Sequence, residues 1–158
     1  MQQPLIPIFS QLKFQVESIK ELMNCVSFFS MEQEIYPGGR TCLELLTHIV
    51  LIPEADYWLS QGASAEEIKQ FYFYWQKELT TIEMLEARID LSFSILEDAY
   101  KELEQEDLDR KSKSYWGTMY SQTEWLLVII THLSHHRSQL FSFLKVEGED
   151  LRTIRLFE

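Results

Sequence analysis

The sequence predicts an all-α fold, a four-helix bundle with a short extra helix between its second and third long helices. Three observations predict it. The chain has only five glycines and four prolines in 158 residues, so long segments run without a breaker, where a sandwich would need turn signals every ten residues or so. Four pairs, Thr41 with Glu44, Ser64 with Glu67, Thr80 with Glu83 and Ser121 with Glu124, have the spacing at which a hydroxyl and a carboxylate cap a helix start reciprocally. Each pair heads a run with helical apolar periodicity.

The first long helix is read as 9–30 and the second as 42–60, joined antiparallel by the turn at Pro37-Gly38-Gly39. Pro53 falls inside the second helix, where a missing donor and a clash one turn back predict a kink or a break. A short helix covers 65–76; a crossover of this length lets the second and third long helices run parallel. The third long helix is read as 82–104 and the fourth as 122–146. The polar stretch 102–113 reads as a solvated helix end and loop, and no sheet is expected.

The length suits one domain over residues 1–158. Hydrophobic residues at 46% and charged residues at 25% give an ordinary globular balance rather than a disordered one. A formal net charge of −11 argues against phosphate-backbone recognition, because only short basic clusters, at 110–113 and at Arg152 and Arg155, oppose it. Two cysteines, Cys25 and Cys42, do not make a disulfide framework; both read as small buried hydrophobes. The apolar run Leu126 to Ile130 is too short to span a bilayer, and the N-terminus carries no signal-peptide pattern. The expected location is cytoplasmic, with no nucleic-acid or membrane partner.

All four histidines fall in the second and fourth long helices. At about 100° per residue, His136 lies within roughly 40° of the middle of the fourth helix's apolar face and His132 within about 70°, while His135 lies roughly 130° away. In the second helix His48 lies about 60° from the apolar centre. A lone inward histidine commonly just bonds a carbonyl. An inward i, i+4 pair at His132 and His136 with His48 opposite is a better arrangement for one divalent ion, zinc or nickel, because neutral imidazoles bind both well. Other residues leave two readings each. Arg137 can pair with a carboxylate or meet a substrate. Tyr115, Trp116 and Tyr120 can roof a pocket or simply pack. The aromatic run from Phe71 to Trp75 is core lining or a dimer contact.

The stretches Leu45-Leu46-Thr47-His48-Ile49-Val50, with Trp58-Leu59, and His132-Leu133-Ser134-His135-His136-Arg137-Ser138-Gln139-Leu140 resemble the DinB/YfiT-like superfamily of metal-binding four-helix bundles. Its members carry a histidine in the second helix and a His-x-x-x-His pair leading into Arg-Gly-Gln in the last. Ser138 stands here in place of that glycine. The resemblance implies a divalent metal held by His48, His132 and His136, with His135 outside the set. It implies a homodimer, and an enzyme that either joins a small-molecule thiol to an electrophile by S-transfer or activates a water in a hydrolase-type reaction. No general base or other catalytic residue is readable. The competing reading is a non-catalytic bundle in which the metal staples two helices and the protein serves as a dimerising interaction module.

Overall fold

Capping chemistry sets where the helices begin. In the computed structural model, which describes residues 1–157, Thr41 Oγ1 accepts the Glu44 N–H at 3.2 Å and Glu44 returns a carboxylate to the Thr41 N–H at 2.8 Å. Ser64 with Glu67 and Ser121 with Glu124 repeat the arrangement. These caps start α2 (Cys42–Ser60), α3 (Ala65–Glu78) and α6 (Gln122–Val146). The fourth expected box is displaced: α4 (Ile82–Lys101) is capped by Thr81, whose Oγ1 accepts the Met84 N–H at 3.3 Å, and Thr80 lies outside. Losing a hydroxyl cap costs about 1 kcal/mol. Ser121→Ala is therefore expected to lower unfolding stability by that amount in urea titrations, with the slope unchanged.

The first helix, α1, spans Ile6–Met23, earlier at both ends than the sequence suggested. Pro7 sits in its first turn, where a missing N–H is not needed. At the other end the Asn24 side chain donates to the Lys20 carbonyl, and the Cys25 and Val26 N–H groups turn back to Leu22 and Met23. The chain leaves the helix there, and Phe28 and Phe29 are exposed. Pro53 does not break α2, which is continuous; neighbours bury this stretch of the helix, and packing outweighs one lost backbone bond.

Cross-helix contacts give the direction of each helix. Lys20 meets Asp90 and Asn24 meets Glu86, while Phe9 reaches Phe93 and Tyr100, so α1 and α4 are antiparallel. Glu54 meets Arg88 and Tyr57 meets Tyr100, so α2 and α4 are parallel. Gln122 donates to the Ser60 carbonyl and His132 meets Asp56, so α6 runs antiparallel to α2. The bundle is up-down-down-up, with α3 supplying the crossover. Trp125, Tyr100 and the leucine and isoleucine faces of all four long helices fill the centre. No helix among the described residues is long and apolar enough to cross a membrane.

The segment before α6 differs from the expected loop. A short helix, α5 (Gln105–Asp109), leads into β1 (Lys111–Lys113), which pairs antiparallel with β2 (Met119–Ser121). Gly117 takes φ +99 in the turn, a conformation that favours glycine. Three-residue strands carry no readable alternation. They are held by tertiary contact: Trp125 Nε1 donates to Ser112 Oγ at 2.8 Å, and the rings of Trp116 and Tyr120 pack on Trp125. The hairpin is a small exception in an all-α protein.

Candidate metal centre

The antiparallel pairing of α2 and α6 sets the site. His48 lies in the second turn of α2, and the i, i+4 spacing on α6 puts His132 and His136 on one face opposite it. His48 Nε2 stands 3.2 Å from His132 Nε2 and 3.1 Å from His136 Nε2. One ligand atom from each of the three lies within 4.8 Å of the others, a cluster that could hold a metal ion.

The far side of two rings decides which nitrogen is free. His132 Nδ1 lies 2.8 Å from Asp56 Oδ2, and Asp56 is buried. A carboxylate only accepts, so Nδ1 carries the proton. His136 Nδ1 likewise donates to Gln139 Oε1 at 2.7 Å. Both rings then present an Nε2 lone pair to the common centre, the orientation that outer partners impose on metal-binding histidines. Burial, then the charge of Arg40 and the neighbouring imidazoles, lowers the His48 pKa to about 2. Burial lowers that of His136 to about 4, against the raising effect of its bond to Gln139. Both rings are neutral at physiological pH. The lone pairs of His132 and His136 thus converge on His48 Nε2, and a cation at the common centre would draw a third lone pair from His48. Bonds of about 2.1 Å to one ion put adjacent ligand nitrogens roughly 3.0–3.4 Å apart, which the observed spacing matches. Three neutral imidazoles are a donor set suited to a divalent first-row metal ion.

Asp56 and Gln139 are the residues that sequence reasoning passed over as orienting partners. One signal was present: Glu54 and Asp56 are carboxylates inside the otherwise apolar stretch Ile49 to Leu59. Buried charges need partners, and both have one, Glu54 in Arg88 and Asp56 in His132.

His135 is exposed and touches the triad only edge-on, its ring 4.8 Å from that of His136. It faces a groove of about 490 Å³ walled by Tyr36, Phe143 and Val146, which none of the triad histidines lines. Arg137 pairs with no carboxylate among the described residues. It is buried, donates to the Leu156 carbonyl at 2.9 Å and lies over the Phe14 ring, tying the C-terminal segment to α1 and α6. Cys42 is fully buried, and burial pushes its thiol up to about 12; Cys25 rests on the Glu21 carbonyl. Of the aromatic run, Phe71 is buried and Tyr72 half-buried with its ring 5.0 Å from His48, while Phe73 and Tyr74 are exposed. Trp116 and Tyr120 are packing residues around Trp125. A pocket of about 340 Å³ opens on the triad at His48, between Arg40, Glu44, Thr47, Tyr72 and Gln76.

Four helices in this order, with three convergent imidazoles between the second and the last, define a histidine-triad helical bundle. The chain belongs to the DinB family, whose sequence model matches residues 1–152. A crystal structure from Exiguobacterium sibiricum 255-15, assigned to the same family, is 27% identical with a TM-score of 0.83, covering 99% of each chain. A DinB-like protein from Bacillus cereus ATCC 10987 is 18% identical with a TM-score of 0.71, covering 94% of this chain and 95% of that one. A mycothiol-dependent maleylpyruvate isomerase shares the fold at 14% identity and a TM-score of 0.66; 89% of this chain spans 63% of that one. No curated protein matches the sequence.

Proposed function

We propose that this chain is a divalent-metal-dependent enzyme that transfers a small-molecule thiol onto an electrophile, with His48, His132 and His136 as the metal ligands and zinc or nickel as the ion. The observation that carries the reading is the convergence of three Nε2 atoms beside a pocket, with two rings locked by Asp56 and Gln139. Three protein ligands are the pattern of catalytic sites, which keep a coordination position for solvent or substrate, whereas structural sites close with four. A metal bound here supplies Lewis acidity, lowering the pKa of a thiol or water that reaches it.

The chain's own groups do the rest. Asp56 and Gln139 hold protons on the outer nitrogens and so keep both imidazoles in the ligating tautomer. Tyr72 keeps its phenol proton, because burial and the charge of Asp56 raise its pKa well above the usual value; it offers a donor on the pocket wall. The thiol chemistry finds support in the mycothiol dependence of the isomerase that shares the fold. A homodimer and a cytoplasmic location belong to the same proposal.

Cobalt substitution tests it. Titrating the cobalt-loaded protein with low-molecular-weight thiols is expected to produce a sulfur-to-cobalt charge-transfer band that saturates at one thiol per chain. Absence of any band, together with a coordination sphere filled by four protein ligands, would leave the metal as a staple between α2 and α6.

A further inference from the structure

The pocket beside the triad has a feature the metal reading does not use. Arg40 lies on its rim, directly before the cap of α2, and is exposed. It makes no ion pair among the described residues. Its backbone is fixed: the Arg40 carbonyl accepts the Ile35 N–H at 2.9 Å, and Glu34 bridges to Thr41. Gly39 next to it is confined by the Tyr36 ring, which a Cβ would meet at 2.6 Å. A guanidinium on a pinned loop, with no ion-pair partner in a chain of net charge −11, is left available by its surroundings.

A second residue of the same pocket is also unpartnered. Thr47 is 3% exposed and its Oγ1 has no hydrogen-bond partner, although a buried hydroxyl left unpaired is costly. The acidic wall residue is, by contrast, engaged. Glu44 accepts the Thr41 N–H on Oε2 and the Gln76 side-chain amide on Oε1, so its carboxylate does not answer Arg40. Arg40 is near enough to the triad for its charge to act on His48 and His136. One cation without an ion pair and one buried, unpartnered hydroxyl thus line a concave site with a triad imidazole.

From this juxtaposition we infer that Arg40 and Thr47 form a carboxylate-binding subsite beside the triad, which selects small ligands that carry a carboxylate within reach of the metal position. The inference rests on the triad being the reactive centre and adds the class of ligand it accepts. Guanidinium suits the task because it offers a planar fork of donors matched to a carboxylate. The carboxylate can sit on the thiol or on the second substrate; the chemistry of recognition is the same.

Three probes separate these cases on cobalt-loaded protein: 3-mercaptopropionate, 2-mercaptoethanol and propionate. Thiol binding is read from the cobalt charge-transfer band, and binding of all three from calorimetry. If the thiol carries the carboxylate, 3-mercaptopropionate is expected to bind about tenfold tighter than 2-mercaptoethanol, the scale of one charge-assisted hydrogen bond. If the second substrate carries it, propionate binds alongside 2-mercaptoethanol without displacing its band. In either case Arg40→Gln removes the carboxylate preference, read as the ratio of 3-mercaptopropionate to 2-mercaptoethanol affinity or as the propionate affinity, so that any effect of the lost charge on the thiolate itself cancels in the ratio. Arg40→Lys restores part of the preference, and Thr47→Val weakens it. The inference is overturned if the unmodified protein shows no carboxylate preference in either arm, or if Arg40→Gln leaves that preference intact. Propionate binding that depends on Arg40, with no thiol band from either thiol, would instead overturn the thiol chemistry and uphold the subsite.

Discussion

Alanine at His48, His132 or His136 is expected to leave purified protein without bound divalent metal, measured by plasma mass spectrometry on untagged material. His135→Ala is expected to retain one ion per chain. The difference follows from geometry: the Nε2 atoms of His132 and His136 lie 3.2 and 3.1 Å from His48 Nε2, whereas His135 is exposed and outside the cluster. With only three protein donors in the cluster, loss of one leaves two. Asp56→Asn gives a graded result. It weakens the anchor on His132 without removing a ligand, and changes of this kind typically cost about 10–100-fold in metal affinity. Metal loss in His135→Ala with retention in His136→Ala would overturn the ligand assignment.

The largest effect on stability is expected at Arg88. Its guanidinium pairs with Glu54, both side chains are buried, and it lies 4.1 Å over the Trp75 ring. It therefore ties α4 to α2 and to α3, the helix that carries Tyr72. Removing one member of a buried pair leaves the other charge without compensation and costs about 3–5 kcal/mol. Arg88→Ala and Glu54→Ala are each expected to fall in that range in urea unfolding. The double replacement Glu54→Leu with Arg88→Met should recover most of it, because apolar groups of similar volume need no partner. Neither residue touches the triad, so folded Arg88→Ala protein should still bind one ion per chain. A loss below about 1 kcal/mol in the single variants, the scale of an exposed pair, would show that water screens the interaction.

Much of the site was legible because helices are regular. A rise and rotation fixed per residue place His132 and His136 on one face and turn His135 away, and no tertiary information is needed for that step. The same regularity made three capping boxes readable, since both partners lie three residues apart in the chain. Where the competing chemistry is local but finely balanced, the reading slipped. Thr80 and Thr81 both offer a hydroxyl, and only the conformation of the chain entering α4 selects Thr81. Asn24 ended α1 seven residues before Ser30, the expected last residue, because its side chain competes for a backbone carbonyl.

The sequence by itself determined the all-α class, the extents of α2 and α6, and the set of histidines facing inward, because each depends on contacts between residues a few positions apart. The tertiary structure decided what depends on residues far apart in the chain. It brought His48 to His136 across 88 positions, gave His132 its proton acceptor in Asp56 across 76, and built β1 and β2 against Trp125. It also left Arg40 and Thr47 lining one pocket, Arg40 without an ion pair and Thr47 with a buried, unpartnered hydroxyl, while Glu44 on the same wall was taken by Gln76 from α3. Periodicity gives the direction of a side chain on its own helix; which group it meets there depends on how the helices pack.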